Sequence, residues 1–85
     1  MDNKVLVSLN VPEIDKSYDI YLPVNKRIGN IICLLNKAIN ELTDGVFPIS
    51  EYNSLYNVDT SEVYSLNALL LNTDIRNGSK LVLIS

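Results

Sequence analysis

Between Arg27 and Thr43, Ile28, Ile31, Ile32, Leu35, Ala38, Ile39 and Leu42 recur at i, i+3, i+4, i+7, i+10, i+11 and i+14. That spacing puts one apolar stripe on an amphipathic helix. Asn30, Cys33, Asn36, Lys37, Asn40 and Glu41 fill the rest of the circle. A lone helix of this length is marginal in water, so the stripe must lie on another apolar surface. The preceding segments supply one. Lys4–Val11 alternates, with Val5, Val7, Leu9 and Val11 on one face and Leu6, Ser8 and Asn10 on the other. Ser17–Pro23 alternates again, with Tyr18, Ile20 and Leu22 on one face. With Pro12–Lys16 as a turn, the two runs predict an antiparallel hairpin.

The helix has readable ends. Asn25 is the candidate N-cap, although Lys26 and Arg27 suit the positive helix N-terminus poorly. Gly29 costs about 1 kcal/mol relative to alanine, and predicts a close approach of the helix to the sheet. Asp44-Gly45 is the stop, with Gly45 as the left-handed terminator. Beyond it, Val46–Asn53 reads as a connector whose Phe47, Pro48 and Ile49 fold back onto the core rim. Ser54–Val58 is a predicted strand and Asp59–Ser61 a turn. Glu62–Ser65 is predicted as a short strand at an edge. Leu66–Thr73 lacks alternation and reads as a loop or single helical turn that plugs the core. Asn77-Gly78 marks a tight turn before the last strand, Lys80–Ile84. The order is β-β-α-β-β-β in one domain spanning residues 1–85. One helix can cover only one face of a mixed sheet.

Composition narrows the function classes. A net charge of −3, with cations scattered from Lys4 to Lys80, argues against nucleic acid and against a polybasic membrane patch. No apolar run is long enough to span a bilayer. The start MDNKVLVSLN reads as a strand, not a signal peptide, and a cytoplasmic location is the expectation. Cys33 is the only cysteine and there is no histidine, so no intrachain disulfide and no Cys–His pair can form. Cys33 falls on the polar side of the helix with Lys37 as its only cationic helical neighbour, and reads as an inert thiol. Asp15, Asp19, Asp44, Glu51, Asp59, Glu62 and Asp74 are dispersed and read as solvated turn residues. No cofactor, metal or enzymatic activity is expected. Tyr18, Tyr21, Tyr52, Tyr56 and Tyr64 read as amphipathic rims, too dispersed for a base-stacking platform.

The arrangement resembles the ubiquitin-like β-grasp fold. The likeness is carried by Val5–Val11, Tyr18–Leu22, Ile28–Leu42, the strand around Leu55 and the block LLLNTDIRNGSKLVLI. In that block Leu70, Ile75, Leu81 and Leu83 hold matching positions. Within the fold, the chain is most similar to small bacterial proteins of the EsaB/YukD type. Its likeness to them lies in Leu22-Pro23 before an aliphatic helix, the element Ile75–Gly78, and an end just after the last strand. That resemblance implies an α+β fold with a mixed five-stranded sheet of order 2-1-5-3-4 and one helix on one face. It also implies a non-enzymatic accessory or regulatory role in the type VII (ESX-like) secretion system of Gram-positive bacteria. A ubiquitin-like modifier or sulfur carrier is the alternative, and a generic β-grasp structural domain another. A modifier needs a flexible diglycine tail, whereas this chain ends Leu83-Ile84-Ser85.

If the last strand is central, as the resemblance implies, Leu81 and Leu83 face the helix, and Val82 and Ile84 face away. Leu6 and Tyr56 should point the same way. Leu6, Tyr56, Val82 and Ile84 are therefore the candidate protein-binding patch, on the helix-free sheet face. The expected partner is a protein, with secretion-system membrane components as candidates. No membrane insertion is expected, and the chain should be a monomer or weak dimer. Val82→Asp combined with Tyr56→Ala is expected to leave the fold intact.

Overall fold

The computed structural model describes residues 3–47 and 53–84. Four strands and one helix follow in the order β1 (Lys4–Val11), β2 (Lys16–Pro23), α1 (Ile28–Leu42), β3 (Ser54–Asn57) and β4 (Lys80–Ile84). The sheet order is β2-β1-β4-β3. β1 and β2 pair antiparallel from Lys4↔Pro23 to Val11↔Lys16, as the two alternating runs require. β4 lies beside β1 in parallel, with Leu9 opposite Leu81, because the helix carries the chain back across the sheet. β3 closes the far side antiparallel to β4.

Among the described residues the sheet has four strands, not five. The predicted strand Glu62–Ser65 contracts to a single bridge, Val63 to Tyr56. Its backbone leaves the sheet for another task. Leu66 and Ala68 carbonyls accept the amides of Gly29 and Ile28, both at 2.9 Å. These are orphan donors of the helix N-terminus, which usually fall to a side-chain cap. Arg27, not Asn25, holds the N-cap position, and it makes no side-chain cap bond. The cap is instead a strap of distant main chain. Leu70 N–H donates to Lys26 O and Leu71 N–H to Val24 O, both at 3.0 Å, and the Arg27 guanidinium donates to Asn67 O. Gly29 serves this strap and not the sheet: a Cβ there would lie 3.2 Å from Leu66 O. The strap ends in a 3-10 turn, Leu70–Asn72, which buries Leu70 as the predicted plug.

The helix stops at a Schellman-type end. Gly45 N–H reaches Asn40 O at 2.8 Å and Asp44 N–H reaches Glu41 O at 3.2 Å. Asp44 as well as Gly45 is left-handed, at φ 52° and 85°. Asn40 Nδ2 then holds Phe47 O at 2.8 Å and Phe47 is fully buried, as expected. Pro48, Ile49 and Tyr52 lie outside the described residues.

Ile28, Ile31, Ile32, Leu35 and Ile39 of α1 pack against Val7, Leu9, Val11, Leu55, Leu81 and Leu83 of the sheet. Two members of the predicted stripe stay out: Ala38 is exposed and Leu42 is 65% exposed. The residue that takes their place is Asn36, buried at i+8 from Ile28. Its Oδ1 accepts Asn53 Nδ2 at 2.7 Å, so the polar atom carries a partner into the core.

Candidate functional site

The face of the sheet opposite α1 gathers some of the predicted patch and separates the rest. On β3 and β4, Tyr56 stands opposite Val82 and Ser54 opposite Ile84. Paired residues of an antiparallel ladder project to the same side. The bridge therefore brings Val63 onto Tyr56 from the outer edge. Val58 N–H bonds Lys80 O at 3.0 Å, which extends the same row. Tyr56, Val82, Ile84, Val63 and Val58 thus form one apolar cluster, and Ile84, Val58 and Val63 are exposed. Val63 escapes sequence reasoning because its placement depends on how the 57–62 turn closes. Alternation within β3 could have pointed to Val58.

Leu6 is not part of this cluster. The parallel register sets Asn10, not Leu6, beside Val82. Four residues of strand hold Leu6 about 13 Å away along β1, and Ile84 lies farther still, at about 20 Å. Leu6 faces Tyr21 instead. Its N–H donates to Asn77 Oδ1 at 2.8 Å and its carbonyl accepts Gly78 N–H at 2.8 Å. Leu6 and Tyr21 make a second, smaller apolar spot, and Ser8, Asn10 and Lys80 lie between the two.

Val82 behaves differently from its neighbours. It is only 6% exposed, flanked by Tyr56 and Asn10 on adjacent strands. An aspartate there would bury a charge. The expectation that Val82→Asp spares the fold is therefore corrected. Ile84, at 42% exposed, is the residue on which this surface can be tested.

Behind the patch lies a buried polar network. Tyr64 projects to the core side, with its N–H on Leu55 O. Its hydroxyl donates to Asp74 Oδ1 at 2.5 Å and accepts Asn57 Nδ2 at 3.1 Å. Asn57 Oδ1 accepts the Asp59 amide at 2.8 Å, which fixes the turn that carries Val58 and Val63. Burial pushes the Tyr64 hydroxyl up to about 12, with the bond to Asp74 adding to it and the Asn57 amide opposing. Tyr64 is a structural tie, not a rim residue, and Asp74 is its acceptor as well as a turn residue.

Cys33 is exposed on α1. Among the described residues there is no group of three or more histidine, cysteine or carboxylate side chains that could hold a metal ion. Among them, too, no helix is long and apolar enough to cross a membrane.

No family model and no curated protein matches the chain. Solved structures do. The EccD5 ubiquitin-like domain from Mycobacterium xenopi superposes with a TM-score of 0.76 at 22% identity, over 96% of this chain and 93% of that one. The ubiquitin-like domain of the type VII secretion system protein EccD1 of Mycobacterium tuberculosis gives 0.72 at 17% identity, over the whole of both chains. A chain of the MycP5-free ESX-5 inner membrane complex gives 0.69 at 17% identity, over 96% of this chain and 21% of that one. With one helix laid on a mixed sheet whose last strand runs parallel to its first, the chain has the ubiquitin-like β-grasp fold.

Proposed function

We propose that this chain is a non-enzymatic, unconjugated interaction module of a type VII (ESX-like) secretion system, a cytoplasmic accessory or regulatory component of the EsaB/YukD kind. The observation that carries the reading is full-length similarity to the ubiquitin-like domains of EccD1 and EccD5, which belong to secretion proteins of that type. Its docking surface is the helix-free face around Tyr56, Val63 and Ile84, with Val82 as its floor. Its partner is a protein, and the ubiquitin-like domain within the ESX-5 membrane complex makes a membrane component of the system the first candidate.

One double variant tests this. Tyr56→Ala with Ile84→Asp alters the exposed patch and leaves the floor intact. In a host lacking the native gene, the wild-type chain restores export of small WXG substrates and the double variant, equally stable by thermal melt, does not. Full export with the double variant would remove the patch from the account. Thioester formation with an ATP-dependent activating enzyme would replace the reading with a modifier.

A further inference from the structure

Asn77 is followed by glycine, and no other asparagine in the sequence is. That pair has a reaction of its own. The Gly78 main-chain nitrogen gives up its proton to hydroxide and bonds to Asn77 Cγ. The Cγ–Nδ2 bond breaks, and Nδ2 leaves as ammonia with its third hydrogen taken from water. The product is a five-membered succinimide. Water then opens the ring at one of its two carbonyl carbons. Cleavage of the bond between Gly78 N and Cγ leaves aspartate. Cleavage at the main-chain carbonyl carbon leaves isoaspartate, whose backbone runs through Cβ and Cγ and is longer by one atom. Glycine hinders the attack less than any other following residue, because it has no Cβ.

Asn77 and Gly78 are both exposed, so water and hydroxide reach them. What restrains the reaction in the folded chain is geometry. Ser79 N–H donates to Arg76 O at 3.0 Å, which closes a turn over Asn77 and Gly78. Gly78 has φ 88° and Asn77 is not left-handed, so the turn is type II. Its first central residue, Asn77, then has ψ of about +120°. Ring closure needs Asn77 Cβ eclipsed with Gly78 N, which for an L residue means ψ of about −120°, the value of the mirror-image turn. Both reacting groups are also held by one residue of β1. Leu6 N–H donates to Asn77 Oδ1 at 2.8 Å, and Gly78 N–H donates to Leu6 O at 2.8 Å. Arg76 N–H on Ser79 Oγ, at 2.8 Å, ties the turn from within.

We propose that Asn77-Gly78 is a modification site controlled by the fold. Docked on Leu6 it stays an amide, and it converts to aspartate and isoaspartate when the 76–79 turn leaves β1. The two products differ in what they do to the sheet. Aspartate keeps an oxygen for Leu6 N–H and keeps the backbone length. Isoaspartate adds an atom ahead of Gly78, at the point where β4 is set beside β1. Ser8 N–H meets Ser79 O there at 2.9 Å, and Ser8 stands opposite Lys80. The longer backbone cannot present the residue 77 oxygen, Gly78 N–H and Ser79 O to β1 at their present spacing. A chain that opens for long enough is therefore altered where its central strand begins. This site does not depend on the secretion reading.

The test keeps the full chain at mildly alkaline pH, native in buffer and unfolded in guanidinium chloride. Peptide mass spectra follow deamidation at each asparagine, and fragmentation separates isoaspartate from aspartate. The unfolded chain should convert at Asn77 before any other asparagine, and the native chain should convert there about tenfold more slowly or slower still. That slowing should match the hydrogen-exchange protection of the Leu6 and Gly78 amides to within about tenfold, because both report opening of one contact. Ser79→Ala removes the acceptor of Arg76 N–H, and should speed conversion of the native chain while leaving the unfolded rate unchanged. Purified isoaspartyl chains should melt below the Asn77→Asp variant. Equal rates in the native and unfolded chain, faster conversion at another asparagine of the unfolded chain, or isoaspartyl chains as stable as Asn77→Asp would overturn the proposal.

Discussion

Two buried polar side chains mark where residue type and residue role part. Asn36 occupies the i+8 position of a stripe otherwise filled by isoleucine and leucine, and its place in the core depends on Asn53. Nothing in the local pattern announces that bond, because the partner sits seventeen residues on. Tyr64 is similar: its hydroxyl finds Asn57 and Asp74, ten residues or fewer away, but only because the 57–62 turn brings it back. The phenol also gives a pH test. In the folded chain it stays protonated to about 12, against an ordinary value of 10.0. Between those values the folded state holds the extra proton, so the stabilisation is complete below pH 10 and is lost as pH rises through 12. Denaturation of wild-type and Tyr64→Phe chains between pH 8 and 12 should show the wild type losing more stability over the upper part of that range. Parallel pH curves would contradict the environment assigned to Tyr64.

At the level of elements, periodicity located α1, β1, β2 and β4 to within a residue or two, and missed what their ends hold on to. The buried stripe is narrower than the spacing predicts, with Ala38 and Leu42 outside it. Leu35 is buried against the sheet and Leu42 stands in solvent, so Leu35→Ala should cost about 2–5 kcal/mol while Leu42→Ala falls within about 0.5 kcal/mol of wild type. Urea titrations of the two variants give the comparison. Gly29 separates propensity from packing. Alanine is the better helix former by about 1 kcal/mol, yet its Cβ would press on Leu66 O of a strap pinned by several main-chain bonds. Gly29→Ala should lower the melting temperature, whereas Asn30→Ala, one residue along and exposed, should raise it. The predicted strand Glu62–Ser65 failed for the same reason that this glycine matters. The chain after Val63 spends its carbonyls on the helix start, so the ladder cannot continue.

For the whole molecule, the arrangement turns on β4. It is the strand that joins the β1–β2 hairpin to β3, with three consecutive buried residues, Leu81, Val82 and Leu83. Its position gives the sheet an interior and leaves β2 and β3 as edges. Hydrogen exchange should reflect that order. Amides of Leu81 and Leu83 should exchange only through global unfolding, whereas those of Ser17, Asp19 and Tyr21 should exchange fast. Strong protection at Tyr21 would mean the β2 edge is covered. The candidate patch was legible only in part. Alternation marked the strand positions that face away from the helix, since side chains change sides at every residue. Which of those positions adjoin is a question of register between strands, and register removed Leu6 and supplied Val63 and Val58.

The sequence alone determined the helix and its buried face, the first hairpin, the turn at Asn77-Gly78, the last strand and the ubiquitin-like resemblance. Each of these rests on local spacing, backbone preference or residue pattern that can be read within a single stretch of chain. Tertiary structure alone decided the number of strands, the strap that caps α1, the burial of Asn36 and Tyr64, and the membership of the sheet-face cluster. Those depend on which distant segments meet, and a buried hydrogen bond or a shared register exists only once both partners have been brought together.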